Sequence, residues 1–357
     1  MKITKAQIIN YRNIEHIEFT PCDGVNIIYG ENAQGKTNIL ESLFLFTGLK
    51  SFRSSKDSEL VSFGKNSANV AVDFSTSSRE HKAEIRITDR RRAFLNGVSL
   101  PSTTALMSKF PAALFSPGFM SLIQNGPSER RKFIDSAICQ ITPKYAVLLS
   151  EYSKLLKQRN AVLKENENFR DVRLFLDCID ENFANIGEQI FTERKKYLNL
   201  ILPFVTEIYG GLSSGKEEIG FSYIRKGERT GEEVFSEILK NHEKTDTAAR
   251  MTLTGPHRDD IEITINGVSA RSFGSQGQKR SAAISLKLSE AQVIKEIIGE
   301  YPIILLDDVM SELDARRQDY ILNHIMDKQV FITCCDPGSI LRMSKGETFN
   351  IKDGRLY

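Results

Sequence analysis

The sequence predicts a discontinuous α/β domain interrupted by a helical insertion, and three observations carry that reading. Residues 25–29 (VNIIY), a glycine-rich loop, and the helical spacing of Ile39, Leu40, Leu43 and Phe44 make a strand, a loop and a helix. Far downstream, the apolar run of residues 303–306 (IILL) closes on two carboxylates, Asp307 and Asp308. Between the two, from about residue 127, the hydrophobic period changes from that of strands to that of helices.

Taken in chain order, residues 69–75 (NVAVDFS) and 82–88 (KAEIRIT) alternate as half-buried strands, and Asn96-Gly97 is a hairpin turn signal. This stretch predicts an antiparallel layer. Gly126-Pro127-Ser128-Glu129 starts the helical region, since proline suits a first helical turn. Thr142-Pro143 opens a second helix, with a stripe through Tyr145, Leu148, Leu149, Tyr152, Leu155, Leu156, Val162 and Leu163. A third follows through Phe175, Leu176, Ile179, Phe183, Ile186 and Ile190 toward Leu198 and Ile201, where Pro203 is expected to bend or stop it. The polar residues 165–168 (ENEN) between them predict an antiparallel helical hairpin. Gly210-Gly211 and Ser213-Ser214-Gly215 punctuate the exit, and strand patterns return at 261–265 (IEITI), followed by the turn Asn266-Gly267. Residues 281–298 read as a helix, 302–306 and 329–333 as strands, and 349–357 as a closing hairpin about Asp353-Gly354. The expected division is a head of residues 1–115 and 251–357 with an inserted helical unit at 116–250.

Composition narrows the class. The chain has 357 residues, 48 Lys+Arg against 46 Asp+Glu, and 40% hydrophobic residues, which excludes disordered, collagen-like and strongly basic tail proteins. No apolar run approaches the roughly 18 residues that span a bilayer, and the N-terminus alternates polar and apolar residues, so no membrane association and a cytoplasmic location are expected. Five cysteines with no CxxC pair and no histidine at ligand spacing support neither a disulfide framework nor a zinc site; they are expected to be reduced and buried.

The chemistry concentrates in two places. Gly30-Glu31-Asn32-Ala33-Gln34-Gly35-Lys36-Thr37 fits the phosphate-loop pattern in full, and Asn38 follows it. Such a loop turns successive N–H groups and a helix N-terminus toward phosphate oxygens, Lys36 adds a point charge, and the Thr37 hydroxyl suits Mg²⁺. Asp307 is the second candidate for Mg²⁺, because phosphate-loop enzymes hold that ion from a strand end. Asp308 on the opposite face of the extended chain is the candidate to polarise an attacking water; its plainer role would be a helix N-cap. Lys36 and Asp307 are too far apart in sequence for a compact core unless an insertion folds between them. Ser275-Gln276-Gly277-Gln278 precedes a helix, so it is either a capped loop or a second anion site. Basic clusters lie at Arg90-Arg91-Arg92, Arg130-Arg131-Lys132 and Arg194-Lys195-Lys196; most such clusters are solvated faces, and Arg90, Arg91 and Arg92 are the best candidates for contact with a phosphate backbone. His257, in a polar loop, suits either a hydrogen-bonding or a catalytic role.

These motifs together resemble the ABC-type ATPase heads of the SMC group, and within it the branch that serves recombinational repair. The likeness runs through Tyr11-Arg12-Asn13, residues 30–38 (GENAQGKTN), Ser51-Phe52-Arg53, 126–135 (GPSERRKFID), 254–260 (TGPHRDD), 275–280 (SQGQKR) and 305–314 (LLDDVMSELD). The resemblance implies an ABC-type phosphate-loop ATPase head, a mixed sheet with an antiparallel layer, carrying a helical insertion. It implies ATP and Mg²⁺ as cofactors, with Arg12 and residues 30–38 at the nucleotide. Ser275, Gly277 and Gln278 would form the signature that meets the γ-phosphate held by a second copy, and residues 311–314 would lie at the same seam. An ATP-dependent homodimer would then clamp duplex or gapped DNA and help two partner proteins load the recombinase. Asp307-Asp308 stands where many ABC proteins have Asp-Glu, so slow, DNA-stimulated hydrolysis is expected. Cys334 and Cys335 follow the strand after which many carry a switch histidine, and no switch histidine is assigned. A transporter subunit is disfavoured by the long insertion, and a phosphate-loop kinase by the signature.

Overall fold

The computed structural model describes every residue except 55, 166–168, 232 and 344–345. The chain opens with β1 (Lys2–Tyr11), β2 (Ile14–Phe19) and β3 (Val25–Tyr29), which feeds the glycine loop and α1 (Lys36–Phe44). It then runs through β4 (Ala68–Ser75), β5 (Glu80–Ile87), β6 (Arg91–Leu95), β7 (Val98–Ser99) and β8 (Ala112–Phe115). The helical stretch comprises α2 (Ser121–Gln124), α3 (Pro127–Ile141), α4 (Pro143–Glu165) and α5 (Phe169–Ser213). After it come β9 (Ile219–Ile224), α6 (Phe235–Ala249), β10 (Asp260–Ile265), β11 (Val268–Ser269), α7 (Ala270–Phe273) and α8 (Gln276–Ile298). The last part holds β12 (Ile303–Asp307), α9 (Ala315–Ile325), β13 (Val330–Cys334), α10 (Gly338–Met343), β14 (Gly346–Lys352) and β15 (Arg355–Leu356).

Two sheets enclose α1. One is antiparallel, in the order β2-β1-β4-β5-β6-β7; the other is ordered β15-β14-β3-β13-β12-β8 and is parallel apart from β15. Alternation along the parallel strands feeds two cores, as a period of two requires. Ile28, Leu114, Leu305 and Phe331 face α1 and the antiparallel sheet, while Ile27, Phe115, Leu306 and Ile332 face the helical layer. The expected α/β class, antiparallel layer and all three Asx-Gly hairpins are present; Asn96, Asn266 and Asp353 all take positive φ at those turns.

Two expectations change. Pro203 does not stop its helix: α5 continues through it and through Gly210-Gly211 to Ser213, because Ile201, Val205, Ile208, Tyr209 and Leu212 go on burying one stripe in the core. β9, before residue 251, pairs with β10 after it, α8 packs on α5, and the parallel sheet resumes at β12. The cysteines are free, but Cys178 and Cys335 are exposed rather than buried. The helical hairpin is α4 against α5, tied by Arg159 to Asp180 at 2.8 Å; residues 166–168 of its expected connection lie outside the described residues. Among the described residues no helix is long and apolar enough to cross a membrane.

Candidate nucleotide site

The C-terminal ends of β3, β13 and β12 lie side by side, the place where open parallel sheets bind ligands. β3 delivers the glycine loop. Gly30 takes φ 155°, and a Cβ there would meet the Ile351 carbonyl oxygen at 2.3 Å; Gly35 takes φ 113°, and its Cβ would meet Asn13 Oδ1 at 2.8 Å. Both positions therefore exclude side chains, and the loop lies against β14 and the β1–β2 turn. The helix α1 starts at once, with Asn38 and Ile39 donating their N–H groups to the Gly35 carbonyl.

Lys36 is 7% exposed and donates to the carbonyls of Gly30 at 2.6 Å and Glu31 at 2.8 Å, with Cys335 Sγ at 3.7 Å. Thr37 Oγ1 donates to Asp307 Oδ1 at 2.7 Å, and Thr333 Oγ1 donates to the same oxygen at 2.9 Å. Burial raises the Asp307 carboxyl above its ordinary range, against the lowering effect of these two hydroxyls. Asp308 takes φ 52°, a left-handed conformation that costs about 1–3 kcal/mol in a residue with a side chain and gathers at functional sites. Its N–H is held by Thr333 Oγ1 at 2.9 Å, and Ser311 Oγ donates to its carbonyl at 2.8 Å. The N-cap alternative fails for Asp308, because Asp314 caps α9, accepting from the Arg317 N–H at 3.0 Å.

A cleft of about 860 Å³ opens on this group and takes in Asn32, Ala33, Gly35, Lys36, Thr37, Asn38 and Asp308. Arg12 lines it too, although its guanidinium is committed to the buried Glu41 at 2.8 and 3.0 Å. Burial would raise Glu41, but Arg12 and Ser51 outweigh it and hold the carboxyl below its usual value. Gln34 turns away, accepting from the Asp353 N–H at 2.6 Å. Asn13, Arg53, Ser58, Glu59, Val61, Phe63 and Thr333 complete the lining. Of these, Asn13 and Arg53 lay inside recognisable triplets, whereas nothing in the pattern of residues 58–63 marked them.

The signature residues stand elsewhere. Ser275 caps α8 in a reciprocal box with Gln278, whose Nε2 donates to Glu217 Oε1 at 2.8 Å. Arg317, paired with Asp314, donates to the Gly277 carbonyl at 3.0 Å. None of Ser275, Gly277 and Gln278 lines the cleft. Arg91 is withdrawn from the surface: it pairs with Asp57 at 2.8 Å and donates to the Leu49 carbonyl at 2.7 Å. Arg90 and Arg92 are exposed, and Arg92 lies opposite Arg86 across the β5–β6 pair. In the other basic clusters the arginines are internal ties, while Lys132, Lys195 and Lys196 stay exposed. Arg130 grips Asp260, Arg131 donates to the Asp259 carbonyl, and Arg194 grips Asp135 at 2.8 Å. His257 is structural, bridging the Tyr152 hydroxyl at 2.8 Å and the Thr252 carbonyl at 3.2 Å; burial lowers it to about 4.

Mg²⁺ fits this donor set. Among the described residues no group of three or more His, Cys, Asp or Glu could cage a metal. Thr37 and Asp307 instead converge two hard oxygens beside the phosphate loop, which suits an ion that takes few protein ligands and shares the rest with a nucleotide.

Fold and site together define an ABC-type ATPase head: the RecF/RecN/SMC N terminal domain family matches residues 2–353. SMC head structures share the fold at TM-scores of 0.58 and 0.56, with 17% and 19% identity. The chain belongs to the RecF family. It is 39% identical over 363 residues to the DNA replication and repair protein RecF of Clostridium acetobutylicum, covering 100% of this chain and 99% of that one. The RecF of Agathobacter rectalis is 37% identical over 362 residues, again with 100% and 99% covered. Among solved structures, the recombination mediator protein RecF-ATPrS in the RecFOR pathway matches at TM-score 0.90 and 36% identity over 99% of this chain and 97% of that one. The RecF-ATP structure matches at 0.88 and 35%, over 99% and 96%.

Proposed function

We propose that the protein acts in DNA repair and replication restart as an ATP-driven clamp. Two heads join across ATP, close on gapped or duplex DNA, and help RecR and RecO load the recombinase, with slow DNA-stimulated hydrolysis as the timer. The observation that carries this reading is the separation of the two halves of the site within one chain. The phosphate loop, Asp307 and Asp308 share a cleft, while Ser275 caps a different helix and is exposed. A second copy can bring its signature to the first copy's nucleotide, and a two-fold pairing completes both sites at once.

In this reading Lys36 and the loop N–H groups bind the phosphates, and Thr37 and Asp307 hold Mg²⁺. That ion, when bound, supplies charge neutralisation at the phosphate oxygens. Asp308, held in its strained backbone by Thr333 and Ser311, orients the attacking water.

Molar mass by light scattering tests the clamp. ATP, but not ADP, should double the mass, and gapped duplex should promote the doubling. Ser275→Arg should hold the protein as a monomer while ATP affinity stays within about twofold; the lost cap costs about 1 kcal/mol, too little to unfold the chain. A variant that doubles normally with ATP would remove the role of the signature across the seam.

For the DNA face, Arg90→Ala with Arg92→Ala should weaken duplex binding about tenfold at low salt and reduce the salt slope by about two. Arg91 is left in place because it anchors the loop through Asp57. Unchanged affinity and slope would move the DNA contact to another face.

A further inference from the structure

The signature turn and residues 311–314 are separated in sequence by the rest of α8 and by β12, yet one side chain joins them. Arg317 lies in the first turn of α9 and pairs with the Asp314 carboxylate. Its Nη2 donates to the Gly277 carbonyl at 3.0 Å and to Ser281 Oγ at 3.1 Å, and its Nε donates to the same hydroxyl at 3.2 Å. A Cβ at Gly277 would crowd Arg317 Nη2 at 3.2 Å, so the glycine keeps the approach open. A planar guanidinium suits this place, because its donors meet acceptors on two segments at once in fixed directions, which a flexible ammonium does not.

Each segment is braced on its own account. Glu217, which receives the Gln278 side chain, also accepts from the Tyr209 hydroxyl near the end of α5 at 2.6 Å. Residues 310–313 are pinned by Gln318, whose Nε2 donates to the Met310 carbonyl at 2.6 Å and to the Leu313 carbonyl at 3.1 Å. Arg317 ties these two braced pieces together, and the side chains they turn outward, Ser275, Gln276, Ser311, Glu312 and Asp314, are exposed. Arg317 does not line the nucleotide cleft of its own copy.

We propose that Arg317 is a positioning residue for the pairing of two heads: it locks the signature turn and residues 311–314 into one preformed surface, which a second copy then meets. This rests on the clamp reading above. A surface fixed beforehand spares association the cost of ordering two loops, so loss of the guanidinium falls on pairing and not on nucleotide binding within one copy.

The test sets Arg317→Ala and Arg317→Lys beside the unaltered protein. Light scattering with ATP and Mg²⁺ over a range of protein concentrations reads pairing, while calorimetric titration of ADP and a thermal melt read the single copy. The α9 cap survives both substitutions, since Asp314 accepts from the backbone N–H of residue 317, so both variants fold. Arg317→Ala should need at least about tenfold more protein to double its mass, as the loss of charge-assisted bonds to two segments predicts. ADP affinity should stay within about twofold, because Arg317 stands outside the cleft. Arg317→Lys keeps the charge without the planar fork and should recover little of the pairing. Full recovery by lysine would overturn the proposal by leaving only a charge at the seam, and doubling of Arg317→Ala at the unaltered concentration would overturn it outright. A loss of ADP affinity or of melting temperature that parallels the loss of pairing would make Arg317 a support of the fold and would also overturn it. If the unaltered protein never doubles with ATP, the clamp reading falls first and this role with it.

Discussion

Replacing Lys36 with alanine is expected to weaken ATP binding at least a hundredfold while leaving the melting temperature within a few degrees. The ammonium is almost enclosed and pairs with no carboxylate among the described residues; its oxygen partners are the Gly30 and Glu31 carbonyls of its own loop. In the proposed role these neutral acceptors give way to anionic phosphate oxygens, to which an ammonium binds more strongly than to carbonyls, each such hydrogen bond contributing about 1.5–3 kcal/mol. Two such bonds account for the predicted loss. The fold should survive, since α1 is anchored by Ile39, Leu40 and Leu43, all 0% exposed, and the loop by its packing on Ile351 and Asn13. Calorimetric titration with ATP beside a thermal melt separates the two effects. An affinity within threefold of the unaltered protein would mean that the loop holds no phosphate.

The largest effect on stability should come from Arg159→Met. Arg159 is the largest fully buried side chain among the described residues and joins three helices: it grips Asp180 of α5 at 2.8 Å, Asp246 of α6 at 2.7 Å, and the Thr252 hydroxyl at 2.9 Å. Asp246 is itself 0% exposed, and burial already raises its carboxyl against the pull of Arg159. Removing the guanidinium leaves that carboxylate buried without a cation, at a cost of about 3–5 kcal/mol. The folded-state pKa of Asp246 then rises further above its unfolded value. The native state binds the extra proton, so stability falls as pH rises through that window, and the deficit in a urea melt should be larger at pH 8 than at pH 5. Arg159→Met combined with Asp246→Leu should recover most of the loss. A single variant within 1 kcal/mol at pH 8 would show the network to be dispensable.

What the sequence made legible was local. The phosphate loop, the two-carboxylate strand and the Asx-Gly hairpins each carry their geometry within a few residues, because the backbone demands of a tight turn or a phosphate cradle fall on neighbours. What stayed hidden depends on partners remote in the chain. β8 is a short run, Ala112–Phe115, that is a strand because Ile303–Leu306 offers a parallel edge. β9 has a weak pattern and forms against β10 across an intervening helix. Arg91, Arg130 and Arg194 read as surface charge because their acceptors, Asp57, Asp260 and Asp135, lie 34 or more residues away. The left-handed backbone of Asp308 likewise follows from Thr333, on a strand with no motif of its own.

The parallel order in which β3 is flanked by β13 and β14 also bears on how the molecule is made. The glycine loop emerges from the ribosome early, yet its back wall is Ile351 and its carboxylate neighbour is Asp307, both supplied by the last sixth of the chain. For most of translation the nascent head has a hydrophobic edge on β3 awaiting strands that do not yet exist, while the helical middle, rich in local contacts, can already pack. The cradle proposed for the nucleotide is therefore completed only after β12 and β14 have been made, and a chain cut short before them should be inert toward ATP rather than half-active.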